Sequence, residues 1–172
     1  ESTGAHINLV GHITKDELKE RLGRTDISNG FANRFLWFCV KRSKSLPEGG
    51  YVKPEDLRRL EDGLKEALEF AHKCKEVKRN NAAKKIWADE YHLLSEGRSG
   101  LLGAVTSRAE AQVMRLSCIY ALLDKSRVIK PAHLSAGLAL WDYSFQSCQY
   151  IFGDKSKNKD LVKLVDKLYE AW

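Results

Sequence analysis

The sequence lacks the short motifs through which most nucleotide, dinucleotide and protease chemistry announces itself. There is no GxxxxGK[ST] phosphate loop, no GxGxxG, no HExxH and no GxSxG. Their absence removes the usual routes to nucleotide hydrolysis, dinucleotide binding, metalloproteolysis and serine hydrolysis within this chain. Proline is scarce, with three residues, which argues against a disordered or fibrous chain. The four cysteines, Cys39, Cys74, Cys118 and Cys148, form no CxxC pair. Zinc ligands come in close pairs, so free buried thiols in a reducing compartment are expected, with no metal site and no disulfide framework. No hydrophobic run approaches the roughly 20 residues that span a bilayer, and no signal-peptide pattern opens the chain. The expected location is cytoplasmic, without a membrane partner.

What is present is an ordinary globular composition. At 172 residues with 43% hydrophobic side chains, the chain can bury a core of its own. Its net charge of +6 favours an anionic partner such as DNA or a nucleotide. Much of that excess sits on segments that alternate lysine and glutamate, where a solvated helix face explains it equally well.

Two stretches read as strands. His6 to Gly11 alternates apolar residues, and Phe31 to Val40 is almost continuously apolar and rich in aromatics. A strand apolar on both faces needs cover on both, and two strands supply too little sheet. Thr14-Lys15-Asp16-Glu17 has capping-box spacing and predicts a short helix carrying Leu18 and Leu22. Pro47 and the glycine pair before Tyr51 form a turn, and from Pro54 the apolar period becomes helical.

Leu57, Leu60, Leu64, Leu68 and Ala71 mark the first long helix; Ile86, Trp87, Tyr91 and Leu94 mark the second. A capping box at Ser107 to Glu110 predicts a third helix, running to about Lys125 and apolar over much of its circumference, hence central to a bundle. Pro131 opens a fourth with Leu134, Leu138, Trp141, Phe145 and Ile151. A charged connector then leads to Leu161, Leu164, Val165 and Leu168, an amphipathic helix that the chain end interrupts. The expected fold is mainly α, four to five helices preceded by two short strands. Residues 1–50 form a sheet edge, 51–153 the helical domain, and 154–172 a linker with the start of a further helix.

Several side chains are candidates for chemistry. His12 and Thr14 stand between a strand and a helix N-terminus, where backbone amides meet anions, although local hydrogen bonding is the commoner use of such a histidine. Asn33 and Arg34 interrupt an apolar strand, so the guanidinium must reach solvent, a carboxylate or a ligand phosphate. Arg108 and Arg115, seven apart, share a helix face that is either solvated or phosphate-binding. Lys73, Lys75, Lys78, Arg79, Lys84 and Lys85 cluster around an inter-helix turn and suit a phosphate backbone, without interleaved aromatics for base stacking.

Gly11-His12-Ile13-Thr14, the block Asn29 to Trp37 (NGFANRFLW), Arg115-Leu116, Tyr120 to Asp124, His133-Leu134, Ala139 to Trp141 and Tyr150 to Gly153 together resemble the C-terminal part of a primase-helicase-like family of prophages and plasmids. The resemblance spans about Ile7 to Gly153. It implies an upstream RecA-like P-loop ATPase core that binds ATP and magnesium, with the last strands of that core supplied here. It further implies Arg34 as an arginine finger or sensor, supported by Asn33, His12 and Thr14 at a γ-phosphate-sensing strand end, and Arg115 as a second sensor. No ATP or metal is expected to be held by this chain alone. DNA, the upstream core and further copies of the chain are the implied partners. Two other readings stand beside it: a non-enzymatic helical module for DNA or protein binding, and a helical enzyme built around His12 or His133.

Overall fold

The computed structural model describes residues 3, 4, 7–23, 27 and 29–153, and it is mainly α. Helix α1 (Lys15–Arg21) starts as its sequence predicts, with the Thr14 hydroxyl accepting the Glu17 amide at 3.3 Å. Helix α2 (Pro54–His72) has Pro54 as its first residue, where the missing N–H costs nothing. Helix α3 (Asn81–Ser95) is capped by Asn80, whose Oδ1 accepts the Ala83 amide at 2.8 Å. Helices α4 (Gly100–Thr106), α5 (Ala109–Leu123) and α6 (Pro131–Phe152) follow. Helix α4 lies in the glycine-rich stretch before Ser107, for which the sequence predicts no helix.

The only sheet among the described residues is one that the sequence hides. Strand β1 (Lys78–Arg79) pairs in parallel with β2 (Val128–Ile129), Lys78 opposite Val128 and Arg79 opposite Ile129. Two residues per strand are too few for an alternating pattern to register. This ladder joins the start of α3 to the start of α6 and buries Ile129 at 2% exposure.

Helix α5 is central, as its sequence predicts: it touches α2, α3, α6 and β2, with α6 as its most extensive neighbour. Val113, Ser117 and Ala121 are fully buried on it, and Leu134 faces them from α6. Gly137 allows the two backbones to approach. A second apolar cluster gathers Leu18, Ala32, Val105, Cys148, Ile151 and Phe152, with Trp37 and Leu102 half-buried against them.

Helix α5 ends in a Schellman turn. The Ser126 amide reaches the Ala121 carbonyl at 2.8 Å, the Lys125 amide reaches that of Leu122 at 3.0 Å, and Lys125 sits at φ +51°. A lysine there carries a left-handed penalty of about 1 kcal/mol, more than its exposed ion pair with Glu66 returns. Lys125→Gly is therefore expected to stabilise the protein by about 0.5 kcal/mol, read as a raised urea midpoint.

The two predicted strands are not strands. Residues 7–14 have no regular structure, and Ile7, Leu9 and Val10 are 90%, 69% and 92% exposed; His6 lies outside the described residues. In the second segment the Asn29 Oδ1 accepts the Phe31 amide at 2.9 Å, Gly30 adopts φ +76°, and a 3-10 turn (Ala32–Arg34) follows. Residues 36–40 then run without regular structure along α6. Instead of a ladder, the Trp37 amide donates to Ser144 Oγ at 3.1 Å and the Cys39 amide to Ser147 Oγ at 3.0 Å, while the Tyr143 hydroxyl donates to the Cys39 carbonyl. The amides that a neighbouring strand would have taken go to helix serines.

Two smaller expectations also change. Ser107 does not cap α5: it has helical dihedrals at the end of α4, donates to the Ala104 carbonyl at 3.1 Å, and leaves Arg108 as the α5 N-cap. On α2 only Ala67 is buried, and Leu57, Leu60, Leu64 and Leu68 remain 51–65% exposed. The connector beyond Gly153 and the expected helix with Leu161, Leu164, Val165 and Leu168 lie outside the described residues. No helix of the described residues is long and apolar enough to cross a membrane.

None of the four cysteines forms a disulfide, and of the thiols expected to be buried only Cys148 is, the other three being half-buried. Burial pushes the Cys148 thiol up to about 12, with Cys39 nearby adding to the shift. Because the folded thiol ionises later than the unfolded one, its contribution to stability is complete below pH 9 and is lost between 9 and about 12. Thiol labelling at pH 8 is expected to spare Cys148 until the chain unfolds, and the urea midpoint to fall as pH rises above 9.

Candidate functional site

The candidate site is the Asn33–Arg34 turn and its seat at the start of α5. Three side chains hold it. Asn33 Nδ2 donates to Ser107 Oγ at 2.8 Å, and Gln112 Nε2 reaches the carbonyl oxygens of Arg34 at 3.1 Å and Asn33 at 3.4 Å. Gln112 is only 6% exposed, so its amide is committed to this contact. Asn33 Oδ1 is enclosed without a hydrogen-bond partner.

Arg34 projects from the held turn and is exposed. Its guanidinium donates back to the Gly30 carbonyl, and among the described residues no carboxylate pairs with it. Of the two readings open to an arginine in this segment, the structural ion pair is thus not realised among the described residues. A held backbone carrying an exposed guanidinium, without a carboxylate partner among the described residues, suits a carboxylate or phosphate arriving from outside.

The other predicted residues distribute unevenly. Arg108 follows Ser107 directly and caps α5, next to the turn; Arg115 is exposed about two turns further along. His12 is exposed in the irregular segment before α1, and the Thr14 hydroxyl is taken up in capping that helix. With the expected strand absent, neither stands at a strand end, and no hydrogen bond joins either to the Arg34 turn.

The basic cluster divides. Lys73, Lys75, Lys78, Lys84 and Lys85 are exposed, Lys78 pairing with Glu76 at 3.1 Å. Arg79 turns inward: its guanidinium lies 5.4 Å from the Trp87 ring centroid and one nitrogen is enclosed without a partner. It also partly offsets the burial that raises the Cys118 thiol. Trp87 is thereby engaged by Arg79 and by Tyr91, whose ring centroid is 5.6 Å away, which removes it as a stacking platform.

His133 is buried and structural. Its Nδ1 accepts the Lys130 amide at 3.1 Å, which puts the proton on Nε2 and directs it to Asp124 Oδ2 at 3.0 Å. The pair ties the end of α5 to the start of α6 and caps the latter.

A cleft of about 610 Å³ lies between the end of α3, the α4–α5 junction and α6, beside the Arg34 seat, and it shares Ser107 with that seat. Glu90, Glu96, Glu110 and Asp142 line it over Trp141 and Phe145, and Arg98 lies 4.4 Å from the Phe145 ring centroid. Four carboxylates against one arginine leave this cleft net negative, which disfavours a phosphate there. The sequence gives no warning of this cleft, since its acids come from three separate segments, the end of α3, the start of α5 and α6. Among the described residues no three His, Cys, Asp or Glu side chains come together to hold a metal ion.

Comparison with protein-family models, with curated proteins and with solved structures finds no match to this chain.

Proposed function

We propose that the chain is a helical C-terminal segment of a mobile-element replication ATPase of the helicase-primase type, and that it offers Arg34 to the phosphates of a nucleotide bound elsewhere. The observation that carries the proposal is an exposed arginine, unpaired with any carboxylate among the described residues, on a turn whose backbone is fixed by buried Gln112 and by Ser107. Arginine fingers need that combination, a rigid base and a guanidinium not locked in an ion pair, because they stabilise charge only at the moment of phosphoryl transfer. Arg108 at the neighbouring helix start is the second cation at hand; Arg115 and His12 stand further from this role.

The nucleotide and its magnesium belong to an upstream core, since the chain has no phosphate loop. Exposed Ile7, Leu9 and Val10 and the uncovered leucine face of α2 are surfaces for that core, or for a further copy of the chain, to cover. The sequence encoded immediately before Glu1 tests the proposal. A strand with GxxxxGK[ST] and a later acidic strand end supports it, and an initiating methionine directly before Glu1 contradicts it.

The second reading is a non-enzymatic module that binds DNA through Lys73, Lys75, Lys78, Lys84 and Lys85. The exposure of all five around the α2–α3 connection favours it. It requires binding of the isolated chain to DNA at low salt that weakens steeply as salt rises.

A further inference from the structure

We infer that Gln112 is the positioning residue for Arg34, an inference that rests on the ATPase reading for its consequence but not for its geometry. Two carbonyl groups in succession, Asn33 and Arg34, face one side-chain amide, at 3.4 and 3.1 Å. The 3-10 turn can satisfy few of its own groups: within it the Arg34 amide reaches the Phe31 carbonyl at 3.1 Å and the Phe35 amide that of Ala32 at 3.4 Å. The carbonyls at its end would otherwise hydrate and the turn would pivot. A glutamine is an expensive way to fill a 6% exposed position of a central helix, where an apolar side chain would pack without needing a partner. Its placement is therefore explained by the turn it holds rather than by α5 itself.

Gln112 also joins the turn to a specific part of the fold. It lies one helical turn after Arg108, and its own amide donates to the Arg108 carbonyl at 3.0 Å. Ser107, one residue before Arg108, takes the Asn33 side chain. The backbone of Arg34 is thus pinned at two points of the same helix start that carries Arg108. Any displacement of α5 relative to the nucleotide moves Arg34 and Arg108 as one body, which makes Gln112 a coupling point between the helical bundle and the phosphate contact.

Gln112→Glu keeps the shape but replaces the donor with an acceptor, and Gln112→Leu keeps the volume without a charge. In the 172-residue chain, either variant is expected to speed hydrogen exchange of the Arg34 and Phe35 amides about tenfold or more while amides inside α5 and α6 keep their protection. In the full-length ATPase, the same variants are expected to lower kcat about 10- to 100-fold at unchanged KM for ATP, as for a catalytic group displaced by about 1 Å. Adding Gln112→Glu to Arg34→Ala is expected to cause no further loss, because the two act through one guanidinium. Unchanged exchange at Arg34 and Phe35, or losses that multiply in the double variant, would overturn the positioning role. Faster exchange together with normal turnover in Arg34→Ala would leave Gln112 holding the turn and remove the ATPase reading instead.

Discussion

If the proposed function holds, Arg34→Ala in the full-length protein is expected to cut ATP turnover by about 10³-fold or more, with ATP affinity and melting temperature nearly unchanged. Both halves of that expectation come from the same geometry. The side chain is exposed, and among the described residues its one hydrogen bond runs to the Gly30 carbonyl within its own loop, so truncation there removes no core contact. A stability effect of about 0.5 kcal/mol is the most such a surface change should bring. On the proposed function, what is lost is a planar pair of donors for the charge that develops during phosphoryl transfer. Arg34→Lys keeps the charge but not the fork, and it should recover only part of the loss. Normal turnover in the alanine variant would show that the guanidinium faces no phosphate.

The second large effect concerns the fold. Gly137→Val is expected to destabilise the protein by about 3 kcal/mol or more, lowering the melting temperature by roughly 10 °C. A Cβ at this position would stand 2.7 Å from Ser117 Oγ, 3.0 Å from the Val113 carbonyl oxygen and 3.2 Å from the Ser117 amide nitrogen. Two of these three atoms are backbone, so the α5–α6 pair has to separate to admit it. Ser117 is fully buried and its hydroxyl bonds back to Val113 at 2.8 Å, leaving it no room to turn away. Gly63 is the control. It lies inside α2 with nothing within 4 Å of a new Cβ, so Gly63→Ala should stabilise by about 1 kcal/mol through helix propensity alone. Paired denaturation curves that moved in the same direction would refute the close crossing.

The long helices were legible because their signals are local. Pro54 and Pro131 open their helices as read, Thr14 caps α1, and α5 lies at the centre as its broad apolar surface requires. The failures occurred where partners come from far along the chain. Phe31 to Val40 carries a strand-like composition, but Ser144 and Ser147, more than 100 residues away, take the amides a neighbouring strand would have taken. Ser107 has the right neighbours for a capping box, yet α4 arrives with helical dihedrals and converts it into an end rather than a beginning. The leucines of α2 have helical period without a neighbour to cover them, since periodicity specifies a face but not what meets it.

The same division runs through the candidate site. Arg34 and Asn33 could be singled out as polar residues in an apolar run. Gln112 could not: an isolated glutamine on a helix has no local signature, and only the docked turn shows that its amide serves two carbonyls 78 and 79 residues away. Arg79 was grouped with the lysines because sequence proximity mimics a patch, whereas β1 alternates and sends it inward against Trp87. His12 and Thr14 lost their assigned setting when the strand before them proved absent.

The most direct test of the central claim is trapping of a phosphoryl-transfer analogue. On the proposed function, ADP with aluminium fluoride should bind the full-length wild-type protein at least about 10²-fold more tightly than it binds the Arg34→Ala variant, while ADP alone binds both equally. Equal trapping by the two proteins would contradict the assignment of Arg34 to the transferred phosphate.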